Sequence, residues 1–162
     1  MLRTQHQTFW CRMKIDIVSL KIYREYEFDL DSTSAYVYSI EEAGPIFNKL
    51  IGNANLEEVG VLCLDSTFRI VNFSIVALGK IDSVRVSISQ LIKIALLSNA
   101  SKIIVGHNHP SGILKVTSKD IDMTQKIGAI TRWMDIELLD SIVVNGTESV
   151  SIREIIEGEK NE

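Results

Sequence analysis

Two of the chain's three histidines stand in one tripeptide, His107-Asn108-His109, directly after the apolar run Ile103-Ile104-Val105-Gly106. In extended backbone, residues i and i+2 project to the same side, so both imidazoles can address one point. Asp120 follows eleven residues after His109 and is the candidate third ligand for a cation bound there. Two imidazoles and one carboxylate with a fourth position open form the ligand set of a hydrolytic zinc site. Zinc accepts nitrogen and oxygen donors and brings the pKa of a bound water to about 7, which makes it a nucleophile at neutral pH.

The segment Thr117-Ser118-Lys119-Asp120 reads equally as a capping box, with Thr117 as N-cap and Asp120 at the third helical position. The two readings are compatible, because a cap fixes where the carboxylate points. Hydrolysis also calls for a proton carrier. The candidates are Glu57 and Glu58, at the entrance to the apolar run 59–64. Paired glutamates before a strand are otherwise an ordinary solvated loop.

These side chains need elements to place them. Residues 14–23 alternate apolar and polar, as a strand does, and residues 25–38 read as extended. Ser39-Ile40-Glu41-Glu42 has capping-box form and opens a helix to about Ile51, ended by Gly52-Asn53. Pro45 conflicts with it, so the helix either starts later or is kinked. Residues 58–64 form a buried strand, Asp65-Ser66-Thr67 a turn, and residues 68–77 the returning strand. Residues 87–97 carry apolar side chains at helical spacing. Residues 102–106 form a short strand with the histidines at its end, followed by a helix over about 118–134. Residues 136–144 and 150–152 close the domain around the Asn145-Gly146 turn. Strands and helices mix without strict alternation, which predicts an α/β (α+β) domain with a mixed central sheet flanked by helices.

Composition narrows the function. A chain of 162 residues with 46% hydrophobic content closes one core without staples. Its net charge of −4, with scattered Lys and Arg, argues against nucleic acid as the main partner. Two cysteines make a disulfide framework improbable, and Cys63 reads as a small core hydrophobe. There is no secretory segment and no apolar run of membrane-spanning length, so the expectation is a cytoplasmic protein. Residues 1–12 lack periodicity and read as an arm or upstream start, residues 13–38 as an N-terminal β extension, and residues 155–162 as a charged tail. Within them, His6 receives no role. Trp133 and Met134 read as core or packing edge, and the strand edges around 25–38 are where a second copy could pair to make a homodimer.

The order Glu57, His107-x-His109, seven residues, then Thr117-x-x-Asp120 resembles the JAMM motif of the JAB/MPN metalloprotease superfamily. The wider text resembles its RadC-like branch: Val61-Leu62-Cys63-Leu64-Asp65, Leu97-Ser98-Asn99-Ala100, His107-Asn108-His109-Pro110-Ser111-Gly112, Ile136-Glu137-Leu138-Leu139-Asp140 and Val150-Ser151. The similarity covers residues 39–154. It implies a cytidine-deaminase-like architecture, Zn2+ held by His107, His109 and Asp120, and Glu57 as the base that activates water. Glu57 is preferred to Glu58 because the family's glutamate lies eight residues before the aspartate that ends the first strand, here Asp65. The family's motif serine, which stabilises the oxyanion or positions water, falls on Thr117, with Ser118 as a register-shifted substitute.

The resemblance implies a metallopeptidase-type hydrolase that cleaves an amide or isopeptide bond in a protein or peptide substrate. The alternatives are a DNA-repair-associated protein, the branch's historical label, and a non-catalytic metal-binding interaction module. Four departures stand out. The branch usually has Pro-Arg at Ile88-Ser89, an aromatic residue at Gly60, a histidine at Ser141 and Asp-Pro at Ile113-Leu114.

Overall fold

A computed structural model describes residue 27, residues 35–79 and residues 87–159. Among the described residues the first element is α1 (Ile40–Phe47), which runs into one wide π-helical turn over Asn48–Gly52; it is followed by β1 (Glu57–Leu64), β2 (Ile70–Gly79), α2 (Ile88–Leu97), β3 (Lys102–Asn108), α3 (Ser118–Trp133), β4 (Glu137–Val144), β5 (Ser149–Ser151) and α4 (Ile152–Glu159). The sheet order is β2-β1-β3-β4-β5. All neighbours are antiparallel except β3 and β4. A parallel pair needs a crossover longer than a hairpin, and α3 supplies it.

The central strands β1 and β3 are buried on both faces. Val59, Val61 and Cys63 of β1 and Ile103 and Val105 of β3 pack with Leu91, Ile92 and Ala95 of α2 and Ile127 of α3. The alternate residues Leu62, Leu64 and Ile104 pack with Ala43, Ile46 and Phe47 of α1. Helix α3 begins at its expected cap, Thr117, and α2 begins after Ser87, whose side chain accepts the Gln90 N–H.

Several boundaries differ from the sequence expectation, each for a tertiary reason. Helix α1 starts at Ile40 with Glu42 accepting the Ser39 N–H at 3.2 Å, so it does not start later. It passes through Pro45, and the winding loosens at Asn48. Strand β3 extends to Asn108 because β1 and β4 pair with it that far: Val59 faces His107, and Val144 faces Asn108. Glu57 belongs to β1, opposite Gly79, and not to a loop. Strand β2 begins at Ile70 because the Asp65 carboxylate builds a longer turn, accepting from the N–H groups of Thr67 and Arg69. Phe68 takes φ 68° within that turn.

Near the C-terminus, α4 extends to Glu159, into the segment 155–162 read as a charged tail, and is anchored where Ile152 is buried and Arg153 Nη1 donates to the Leu139 carbonyl at 2.8 Å. Trp133 is 88% exposed and Met134 42% exposed, contrary to a core or packing-edge role. The buried stripe of α3 is Asp120, Thr124, Ile127 and Thr131, and Trp133 falls off it. Residues 1–26, including His6 and Cys11, and the N-terminal strand expected at 14–23 lie outside the described residues, as does most of the extension at 25–38. From that extension, Tyr36 bridges to Arg69. Among the described residues no helix is long and apolar enough to cross a membrane.

One close approach anchors the strand that carries the histidines. A Cβ added at Gly106 would lie 2.5 Å from the Phe47 ring and 2.9 Å from Ile142, both fully buried. Gly106→Ala is therefore expected to lower stability by about 1–3 kcal/mol through overpacking. Urea unfolding measures this, and an unchanged midpoint would contradict the packing described.

Candidate metal centre

Alternation along β1 and β3 decides which side chains meet. Glu57 shares a face with Val59 and Val61, and His107 shares that same face with Val105 and Ile103. Val59 and His107 are cross-strand partners, so Glu57 sits one pleat beyond the pair on the same side. His109 follows at the mouth of the β3–α3 connection. Its position comes from a turn in which Gly112 N–H donates to the His109 carbonyl at 2.9 Å. Gly112 has φ 77°, a conformation that favours glycine.

Donor atoms of Glu57, His107 and His109 all lie within 4.8 Å of one another. His107 Nε2 is 3.2 Å from His109 Nε2 and 3.4 Å from Asp120 Oδ1. Those separations match the edge of a tetrahedron built from zinc bonds of ~2.0–2.1 Å, which is about 3.3 Å. Asp120, expected as the third ligand, approaches His107 but is not part of the mutually close set. Glu57, expected as the proton carrier, is. The reason lies in the α3 cap. Thr117 N–H and Thr117 Oγ1 donate to Asp120 Oδ2 at 2.8 and 2.7 Å, and Asp120 N–H donates to Thr117 Oγ1 at 3.4 Å. The capping box thus engages one carboxylate oxygen and leaves the other toward His107.

The protonation states suit a cation. His109 Nδ1 lies 2.7 Å from the Ile113 carbonyl. A carbonyl only accepts, so Nδ1 carries the proton and Nε2 offers its lone pair. Burial pushes the His107 imidazole down to about 4, against the opposing pull of the Asp120 carboxylate and with a smaller push from His109. Only 12% of the His107 side chain is exposed. Two imidazole Nε2 atoms and a carboxylate oxygen directed at one another are a donor set that suits a divalent ion.

The remaining expected residues take modest places. Glu58 faces away from Glu57 by strand alternation, and burial raises its carboxyl above the usual range. Thr117 acts here as the cap, and Ser118 is the first residue of α3. Glu57, His107 and Asp120 line a cavity of about 270 Å³ whose inner wall includes Val105, Met123 and Ile127. A larger groove of about 840 Å³, between α3, β4 and α4, contains none of these donors and is not where the chemistry sits.

Sequence reasoning missed Asn108 as a structural participant. It is fully buried between the two histidines and binds the connection before β1. A polar residue inside a strand buried on both faces must find partners, and that was the available signal.

A cluster that could hold a metal ion at the carboxyl end of a parallel strand, beside the N-terminus of the crossover helix, on a mixed sheet with five strands and four helices among the described residues, is a JAB/MPN-type arrangement. The sequence profile of the RadC-like JAB domain matches residues 37–158, and the chain belongs to that family. It is 37% identical over 98 residues to a UPF0758 protein of Acidithiobacillus ferrooxidans, covering 60% of this chain and 44% of that one. A UPF0758 protein of Chloroflexus aggregans is 32% identical over 120 residues, 72% of this chain and 52% of its own. One from Marinomonas sp. is 34% identical over 116 residues, again 72% and 52%. The chain spans about half the length of the curated relatives it matches.

The titration of His107 gives a test. Its folded value lies below its ordinary 6.5, so between the two values the unfolded chain binds the extra proton, and acidification favours unfolding. Chelator-stripped protein is expected to lose urea resistance as pH falls from 6.5 towards about 4. His107→Gln should flatten that dependence, and equal slopes in the two proteins would contradict the neutral buried imidazole.

Proposed function

We propose that this chain is a zinc-dependent hydrolase of the metallopeptidase type, acting on an amide or isopeptide bond in a protein or peptide. The observation that carries the reading is the convergence of Glu57, His107 and His109 donor atoms within 4.8 Å, with Asp120 Oδ1 3.4 Å from His107. Family membership supports it.

His107, His109 and Asp120 would hold the ion. Zinc held there supplies Lewis acidity, polarising a carbonyl and making water easier to deprotonate. Glu57, half-buried on the same face as His107, accepts the proton at its carboxylate and returns it to the leaving amine. Thr117 fixes Asp120 by accepting its N–H and donating to its carboxylate. With that hydroxyl committed to the cap, Ser118 is the remaining side-chain candidate for stabilising the developing oxyanion. The cavity beside His107 and Asp120 gives a substrate side chain an apolar wall and screens the carboxylates from bulk water.

Glu57→Gln is the discriminating variant. Incubated with zinc and a panel of linear peptides and lysine-linked isopeptides, the parent should release products detectable by mass spectrometry. The variant should keep about one zinc per chain and lose about 10²–10⁴-fold in rate, the range for a removed general base. Zinc binding without cleavage by the parent would favour a non-catalytic module. Undiminished cleavage by the variant would remove Glu57 from its role.

A further inference from the structure

We propose that Asn108 is a positioning residue: its single side-chain amide clamps both peptide units that flank Glu57 and thereby aims the Glu57 carboxylate into the metal centre. The inference rests on the metal-centre reading above. It concerns a residue between the two histidines that faces the opposite side of the sheet from them.

Backbone pairing between β1 and β3 ends at Val59 and His107. One step further, where Glu58 would pair with Asn108, the Asn108 side chain replaces the ladder. Its Oδ1 accepts the Glu58 N–H at 2.6 Å. Its Nδ2 donates to the carbonyls of Leu56 and Ala54, each at 3.1 Å. The Leu56 carbonyl belongs to the peptide unit before the Glu57 Cα, and the Glu58 N–H belongs to the unit after it. With both planes fixed, φ and ψ of Glu57 are fixed, and so is the direction of its Cα–Cβ bond. The clamp is dry, since Asn108 is 0% exposed. It is also short, because its anchor is the residue joining His107 to His109. The sheet register puts Glu57 on the face of His107, and this one side chain then ties its backbone directly to the residue between the imidazoles.

Few side chains fit the task. It needs one acceptor and two donors in a plane, at the reach of a single methylene. Aspartate has the shape but no donor, and would face two carbonyls. Leucine has the shape and no polar atoms. Serine and alanine are too short.

The test uses Co2+ alone, as a spectroscopic stand-in for zinc, in four proteins: parent, Asn108→Leu, Glu57→Gln and the double variant. If Asn108 acts through Glu57, Asn108→Leu alters the visible Co2+ spectrum in the same sense as Glu57→Gln. It also weakens Co2+ binding about tenfold, the lower end for a lost supporting partner of a metal site. In the Glu57→Gln background the same substitution should change neither quantity, because its effect is already spent. Equal effects in both backgrounds, or none in either, would overturn the proposal and leave a merely structural asparagine.

Should the leucine variant fail to fold, proton exchange in the parent decides. The Asn108 side-chain amide and the Glu58 N–H are both expected to exchange slowly, and rapid exchange of either overturns the clamp. No Co2+ binding by the parent would overturn the metal reading itself and this inference with it. Binding by the parent with an unperturbed Asn108→Leu variant overturns this inference alone.

Discussion

The register of β1 against β3 is the constraint on which the rest depends. With Val59 opposite His107, Glu57 and His107 share one face of the sheet. A slip of one residue would carry Glu57 to the face covered by α1 and leave the histidines without it. Burial specifies the register strongly, because both faces of both strands are packed: Val61 and Ile103 against one helix layer, Leu62 and Ile104 against the other. The close contact of Gly106 with Phe47 adds a local lock on the strand immediately before His107.

Given that register, local devices finish the geometry. The α3 cap divides the work of one carboxylate between its two oxygens, with Oδ2 on Thr117 and Oδ1 toward His107. The place of Asp120 in the first turn also sets an acidic side chain at the positive end of α3, which favours the helix. His109 is oriented by a main-chain carbonyl, that of Ile113. Any residue offers a carbonyl, which explains how this loop can depart from the family's Asp-Pro and keep the imidazole in place. At Gly60, where the family usually has an aromatic residue, the Phe73 ring from β2 occupies the space. Ser141, where the family usually has histidine, is buried beside the cavity and shortens that wall. Nothing in the structure explains the substitution of Pro-Arg by Ile88-Ser89.

Much of this arrangement was legible in the chain. Helices with a capping box, α1 after Ser39 and α3 after Thr117, announced their starts, because a cap is a local interaction. That the His107 and His109 side chains approach each other was legible from spacing and strand parity, and that Asp120 comes near His107 from its place in the cap. Strand ends were less so. Residues 59–64 form a continuous apolar run, so no alternation betrayed register or showed that Glu57 was already paired. The extent of β3 and the start of β2 depend on partners far away in sequence, and on the Asp65 carboxylate reshaping a turn. The reading of Trp133 as core or edge failed because hydrophobicity alone does not say which side of a helix is covered. Asn108 lay inside the motif and was passed over, since its role is to bind backbone, which leaves no pattern of residue types.

The proposed divalent cation would sit between His107 and His109, beside the carboxylates of Glu57 and Asp120. Crystals grown with zinc and measured at the zinc absorption edge test it most directly. The expected result is one anomalous peak per chain, about 2.0–2.1 Å from Nε2 of both histidines, with Asp120 Oδ1 beside it. Absence of a peak there at saturating zinc, or a peak bound only by other residues, would mean that these histidines hold no metal.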